Sequence, residues 1–150
     1  MTSHEHRDRL EAFFGRDRLG RTLGIQLHRW GGGWAELAAT PTEEHANFVD
    51  IVHGGYLFSA ADVALGVASN SWGRQCVAIS IDIQYLRAAH VGVTLAIRAE
   101  EVNRTRSIGN YRVEVSAPDR LVATATAIAF RTNEWHFGAD AWSDDWRTSH

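Results

Sequence analysis

The segment VHGGYLFSAADVALGVASN, residues 52–70, decides the fold of this chain. From Gly55 to about Asn70 it is rich in alanine and apolar on almost every side, which is typical of a helix in a protein interior. The exceptions recur every three or four residues and form one narrow stripe of small or polar side chains: Gly55, Ser59, Asp62, Gly66 and Ser69. Burying a lone carboxylate is costly unless it is paired. Asp62 is therefore either a hydrogen-bonded anchor for the helix or a group that lines a cavity and acts there.

The flanking sequence predicts a single α+β domain over residues 1–150 with an antiparallel sheet. Helical spacing of apolar residues predicts an amphipathic N-terminal helix, and runs of strands without alternating helices favour antiparallel pairing. The predicted elements are a helix at about 5–19, a hairpin at 25–39, and strands at 77–85, 93–97, 111–115 and 122–130. The tail, residues 133–150, contains three tryptophans without a usable period and is predicted to lie outside the core, docked on the surface or on a partner.

Composition excludes several classes of function. The net charge is −3 without a dense arginine cluster, which argues against nucleic-acid binding. No apolar run approaches the ~20 residues that span a bilayer, and the charged N-terminus lacks the apolar core of a signal peptide. Cys76 is the only cysteine, so no internal disulfide is possible, and we expect a cytoplasmic protein.

The start of the central helix carries a second candidate element, His53-Gly54-Gly55. First-turn N–H groups have no partner within a helix, and they can hold a developing oxyanion. Gly54 and Asp62 are eight residues apart, which is about 12 Å along one helix. No single carbonyl carbon is within reach of both groups. If both act on one bond, they come from different chains, so the spacing predicts at least a homodimer.

Asn47, the His53-Gly54-Gly55 segment, Asp62 and Ser80 occur in an order that resembles the PaaI-type hotdog-fold acyl-CoA thioesterases of phenylacetate degradation. The resemblance covers about residues 20–131. It implies a hotdog fold, in which an antiparallel sheet of five to six strands wraps around a long central helix. It also implies dimers with sheets joined edge to edge, commonly paired into homotetramers.

The resemblance implies a role for each of these residues. Asn47, His53 and the amide of Gly54 or Gly55 would orient and polarise the thioester carbonyl. Asp62 of the neighbouring chain would act as a general base on water or as a nucleophile. Ser80 would help to hold that water.

Substrate-binding candidates are less specific. Arg87, Arg104 and Arg106 lie at strand ends or in a turn, where the family often binds the coenzyme A arm, but each is equally well explained as a solvated surface arginine. Candidates for an acyl pocket are Tyr56, Phe58, Ser59 and Trp72, although aromatic residues at helical spacing more often belong to a core. No metal is expected, because the eight histidines show no metal-ligand spacing. No cofactor is expected either, since coenzyme A belongs to the substrate.

The sequence thus predicts a thioester hydrolase that converts an aryl- or other acyl-CoA, with phenylacetyl-CoA-like substrates favoured, to the free acid and coenzyme A. A thioester is an activated acyl group, so a Ser-His-Asp triad is not obligatory, and the chain has no G-x-S-x-G elbow. Two alternatives remain open. One is a hotdog dehydratase or hydratase that uses His53 and Asp62. The other is a non-catalytic acyl-CoA binding protein.

Overall fold

A computed structural model describes residues 4–150 and shows a six-stranded antiparallel sheet around one long helix. The elements in chain order are α1 (His4–Phe14), α2 (Arg18–Thr22), β1 (Ile25–Gly31), β2 (Trp34–Ala39), α3 (Gly54–Asn70), β3 (Arg74–Tyr85), β4 (Leu95–Arg104), β5 (Ile108–Ala117), β6 (Arg120–Trp135) and α4 (Asp144–Ser149). The strand order is β1-β2-β4-β5-β6-β3, and every neighbouring pair is antiparallel. The predicted α+β class, central helix and antiparallel sheet are confirmed. None of the helices in residues 4–150 is both long and apolar enough to cross a membrane.

Helix α3 forms the core with the inner face of the sheet. Its buried residues are Tyr56, Leu57, Ala60, Ala61, Ala64, Leu65, Val67, Ala68 and Ser69. Four buried alanines at alternate positions of β6 line this inner face: Ala123, Ala125, Ala127 and Ala129. Their small side chains allow close packing, because protein interiors tolerate few voids.

The small and polar stripe of α3 is the part of the helix that is least buried in the single chain. Gly55, Asp62 and Gly66 are exposed and Ser59 is half-buried, whereas Ser69 is buried. Most of the small and polar stripe thus lies on a face of the helix that the sheet of its own chain does not cover.

The N-terminal helix predicted at 5–19 is in fact two helices. The chain leaves α1 after Phe14, and Asp17 begins α2 by accepting a hydrogen bond from the backbone N–H of Gly20 at 2.9 Å. An aspartate at this position satisfies one of the N–H groups that a helix start leaves unpaired. The turn carries Asp17 to the uncovered side of α3.

Strand β3 lies at one edge of the sheet, and within residues 4–150 it pairs only with β6. Val77 is 54% exposed and Ile79 is 59% exposed along this edge. The register shifts between Ala78 and Ser80, which makes Ile79 an extra residue on β3. An apolar edge strand with unpaired backbone groups is a ready template for pairing with another chain.

The prediction that the tail lies outside the core is wrong. Strand β6 continues to Trp135, and the rest of the tail folds back on its own chain. Trp142 is only 4% exposed and donates from Nε1 to the carbonyl oxygen of His136 at 2.8 Å. Trp146 donates from Nε1 to the carbonyl oxygen of Trp72 at 2.9 Å.

Candidate active site

An open cleft of about 1140 Å³ runs along the uncovered face of α3. One wall comes from the α1–α2 segment and includes Phe13, Phe14 and Asp17. The opposite wall is the first half of β3, from Gln75 to Ala78. The floor is the exposed stripe of α3, with Phe58, Ser59, Asp62, Val63, Gly66 and Asn70 among its residues.

Asp62 lies in the middle of this floor. It makes no hydrogen bond or ion pair with any other residue in 4–150, which gives no support to the interpretation of Asp62 as an anchor for the helix. The side chain is open to the cleft, but the surrounding protein removes part of its hydration, which raises the pKa of its carboxyl group. The negative charge of Asp17 raises that pKa further. The geometry therefore favours the second interpretation, a carboxylate that faces a cavity.

At the start of α3, the backbone N–H groups of Gly54 and Gly55 differ in their hydrogen bonding. His53 is the N-cap, and its Nδ1 accepts a hydrogen bond from the backbone N–H of Gly55 at 2.8 Å. The backbone N–H of Gly54 has no acceptor within residues 4–150. Of the two candidates, only Gly54 can donate to a ligand without first losing a hydrogen bond. The His53 side chain thus fixes the first turn of α3.

Asn47 lies beside the helix start. Its Oδ1 accepts hydrogen bonds from the backbone N–H groups of Val49, at 3.0 Å, and Ile51, at 3.3 Å. These two bonds identify which side-chain atom is the oxygen, and they leave Nδ2 without an acceptor in the described part of the chain. The bridge between Ala46 and Val52 and the hydrogen bond from the His53 N–H to the carbonyl oxygen of His45 hold the segment that carries Asn47 alongside the start of α3.

Within one chain the start of α3 is separate from Asp62. Gly54 and Asp62 both lie on α3, eight residues apart, which corresponds to about 12 Å along its axis. A reacting carbonyl needs contacts of about 3 Å to each group. Within one chain, Asp62 and the Gly54 amide are therefore too far apart to contact the same carbonyl group.

The structure does not bring Ser80 to Asp62. Ser80 pairs with Ile128 on the outer face of the sheet and lines a second cavity of about 330 Å³ there. Ala78, on the other side of the register shift, pairs with buried Ala129 and lines the main cleft. A one-residue shift in a strand moves a side chain to the opposite face.

Two of the four acyl-pocket candidates line the cleft, namely Phe58 and Ser59. Tyr56 does not line the cleft, because its ring is buried against His45 and its hydroxyl donates to the carbonyl oxygen of Leu23 at 2.9 Å. Trp72 also lies away from the cleft, and its Nε1 donates to Glu101 at 3.0 Å.

None of the three candidate arginines lines the cleft. Arg104 donates to Glu101 Oε1 at 3.0 Å and covers the ring of Trp72 at 4.2 Å, so its guanidinium already has partners within the chain. Arg87 and Arg106 are exposed, and their contact with coenzyme A stays a prediction.

The polar residues of the cleft that sequence reasoning missed include Asp17, Asn70 and His136. The capping pattern at Asp17 was a usable signal. His136 had none, because it reaches the cleft only through the folded-back tail. Residues 4–150 contain no cluster of three or more histidine, cysteine, aspartate or glutamate side chains that could hold a metal ion.

Comparisons with known proteins agree with this geometry. The family model described as Thioesterase superfamily matches residues 50–124. A protein of Archaeoglobus fulgidus inferred to be an esterase is 35% identical over 119 residues, which cover 79% of this chain and 77% of the relative. Acyl-coenzyme A thioesterase PaaI of Escherichia coli is 33% identical over 75% of this chain and 81% of its own length.

Solved structures show the same fold. The E. coli PaaI protein from the phenylacetic acid degradation operon superposes with a TM-score of 0.85 and 29% identity, over 91% of this chain and 99% of that protein. A hypothetical thioesterase of Streptococcus pneumoniae, solved with coenzyme A, superposes with a TM-score of 0.75 and 25% identity, over 81% and 95% of the two chains. The predicted hotdog fold, PaaI-type resemblance and thioesterase activity are thereby confirmed. The chain belongs to the thioesterase superfamily.

Proposed function

We propose that this protein is a cytoplasmic acyl-CoA thioesterase whose active sites are shared between two copies of the chain. It hydrolyses an aryl-acyl-CoA of the phenylacetyl type to the free acid and coenzyme A. The observation that carries the proposal is the pair of groups without partners on α3. Asp62 and the Gly54 N–H are each unpaired within residues 4–150, and they lie too far apart to serve one bond from one chain.

The second copy joins at the β3 edge. Antiparallel pairing of β3 with the same strand of another chain extends the sheet and covers the exposed side chains of Val77 and Ile79. A two-fold axis at this edge turns the uncovered stripes of the two α3 helices toward each other. The small residues Gly55 and Gly66 permit a close approach. Each Asp62 then meets the Gly54 of the other chain, and two such dimers pair into a homotetramer.

The chemistry follows from these positions. Ionised Asp62 accepts a proton from water while the water oxygen attacks the thioester carbonyl carbon. The negative charge that develops on the carbonyl oxygen is held by the Gly54 N–H of the other chain, at the positive end of its helix, with Asn47 Nδ2 as a second donor. The intermediate then expels coenzyme A as a thiolate, which takes up a proton. His53 is a positioning residue in this mechanism, because it holds the first turn through Gly55.

Two observations support the substrate class. The cleft is lined by three phenylalanines, Phe13, Phe14 and Phe58, which suit an aromatic acyl group. The relatives include a thioesterase of a phenylacetic acid degradation operon and a protein that binds coenzyme A.

The test compares Asp62→Asn with Asp119→Asn. Asp119 is the control, since it is exposed in the turn between β5 and β6 and lines neither cavity. Thiol release from a panel of aryl- and fatty-acyl-CoAs is measured for both variants and the wild type. We expect Asp62→Asn to lower kcat by about 10²- to 10⁴-fold and Asp119→Asn to leave it unchanged.

Three outcomes would contradict the proposal. Equal rates for Asp62→Asn and the wild type would make Asp62 structural, and binding without turnover by the wild type would indicate a non-catalytic protein. A larger loss for His53→Ala than for Asp62→Asn would assign the proton transfer to His53 instead.

A further inference from the structure

Phe48 is 98% exposed, the highest exposure among the large apolar side chains of the described residues. It lies in the loop 46–52, whose backbone is fixed because Asn47 Oδ1 accepts hydrogen bonds from the N–H groups of Val49 and Ile51. A phenylalanine side chain is strongly stabilised by burial. An exposed one on a fixed loop therefore indicates a surface that another molecule covers.

The place of this loop in the proposed dimer follows from that of Gly54, because the loop is held alongside the start of α3. In that dimer Gly54 of one copy meets Asp62 of the other. The two-fold axis then passes near residue 58, midway between them on α3, and the two helices run antiparallel. The loop precedes Gly54, so it lies beyond Asp62 of the other copy, on the side away from the axis. The α1–α2 wall of the cleft is next to Asp62, since the negative charge of Asp17 raises the pKa of that carboxyl group.

The α1–α2 wall carries apolar side chains that its own chain leaves in solvent. Leu19 is 59% exposed, Phe13 is also exposed, and both line the cleft. On the loop, Val49 is exposed beside Phe48. Contact between the two surfaces would remove these side chains from water, which favours association.

The charges of the two surfaces are complementary. Residues 15–21 of the wall contain three arginines and one aspartate, whereas residues 43–50 contain three carboxylates and no arginine or lysine. None of these charged side chains forms an ion pair within residues 4–150. Opposite charges on facing surfaces align two chains and disfavour other arrangements. The exposed side chains concerned are Arg16, Arg18 and Arg21 on the wall and Glu43, Glu44 and Asp50 near the loop.

We propose that Phe48 anchors the two copies to each other at each active site, with its ring packed on Leu19 and Phe13 of the other copy. This inference rests on the proposed function and adds a contact that fixes the geometry of the shared site. The same loop carries Asn47, whose Nδ2 is a proposed donor to the carbonyl oxygen. The anchor therefore holds Asn47 and Gly54 in position against Asp62 of the other copy, and a small misplacement of reacting groups lowers the rate strongly.

The first measurement is the dimer dissociation constant of Phe48→Ser, by sedimentation equilibrium. Each dimer has two anchors, and loss of each buried aromatic contact weakens association about tenfold, so the constant should rise by about 10²-fold. Phe130→Ser is the control and should leave the constant unchanged, because Phe130 is an exposed phenylalanine of β6 that lines neither cavity. A Phe48→Ser protein that dissociates no more readily than the wild type would overturn the inference.

The second measurement compares two mixed dimers, each isolated by different affinity tags on its two chains. One pairs a Phe48→Ser chain with an Asp62→Asn chain. The other pairs a wild-type chain with a chain that carries both substitutions. Both dimers contain the same two substitutions and one site with Asp62, but only in the first does that site receive Phe48 from the other chain. We expect kcat for thiol release to be about tenfold higher in the first dimer than in the second.

Equal rates for the two mixed dimers, or a faster second dimer, would overturn the inference. A monomeric but active wild type would contradict both the shared site and the anchor. If no acyl-CoA is hydrolysed by the wild type, the proposed function fails, and the dissociation constant of Phe48→Ser still decides whether Phe48 joins the two copies.

Discussion

The first residue of α3 allows one hydrogen-bond donor to be removed with little other change. Gly54 is the first helical residue, where proline is well tolerated because its N–H has no partner within the helix. The preceding residue, His53, has φ −60° and ψ 136°, an extended conformation that proline requires of its neighbour. Gly54→Pro therefore deletes the proposed oxyanion donor and leaves the helix able to form.

The control for this substitution is Gly54→Ala. A Cβ atom at position 54 would lie 3.2 Å from Cζ of Tyr85, a tight contact that both variants share. Only Gly54→Pro also lacks the N–H. The difference between the two variants thus isolates the hydrogen bond from the crowding.

Loss of one oxyanion donor lowers kcat by about 10²- to 10³-fold in acyl-transfer enzymes. We expect that difference between Gly54→Pro and Gly54→Ala in thiol release from phenylacetyl-CoA. The loss should fall on kcat with little change in KM, because the hydrogen bond strengthens only as charge develops on the carbonyl oxygen. Thermal unfolding by circular dichroism shows whether the helix start is intact. Equal kcat values for two folded variants would refute the role of the Gly54 amide.

Two more predictions concern the shared site and its pH dependence. When equal amounts of Gly54→Pro and Asp62→Asn chains assemble at random, about half of all dimers are mixed, and each mixed dimer has one intact site of two. Activity should therefore recover to about a quarter of the wild-type activity. Activity no higher than the average of the two separate variants would place both groups in one chain. Asp17→Asn retains a good N-cap but removes a negative charge that raises the pKa of Asp62. That pKa should then fall, so Asp62 stays ionised at lower pH and the acid limb of the kcat/KM profile moves to lower pH; a limb that does not move would mean that another group controls it.

Most secondary structure was predictable because its cause is local. In β3, Ile81 and Ile83 alternate with Asp82 and Gln84, and this period of two describes a strand whatever it packs against. The break between α1 and α2 was missed because the apolar spacing of residues 5–19 continues across it, although Asp17 is a good N-cap. The tail was missed because its tryptophans pack at irregular intervals, without a helix or strand period.

Some features of the candidate site were likewise predictable from the sequence, and others were not. Sequence alone determined the stripe on α3 and the eight-residue separation between Gly54 and Asp62, since helix geometry converts spacing directly into direction and distance. Only the tertiary structure decided that the stripe faces an open cleft and that the Gly54 amide, not that of Gly55, is available.

The positions of Ser80 and His136 depended on the register of β3 and on the path of the tail. The extra residue at Ile79 turns Ser80 to the outer face, and the folded-back tail brings His136 to the end of the cleft. Both outcomes depend on contacts between segments that are far apart in sequence, whereas a periodic pattern describes only the faces of one segment. A sequence pattern thus identifies which residues share a face, and packing between distant segments determines what that face contacts.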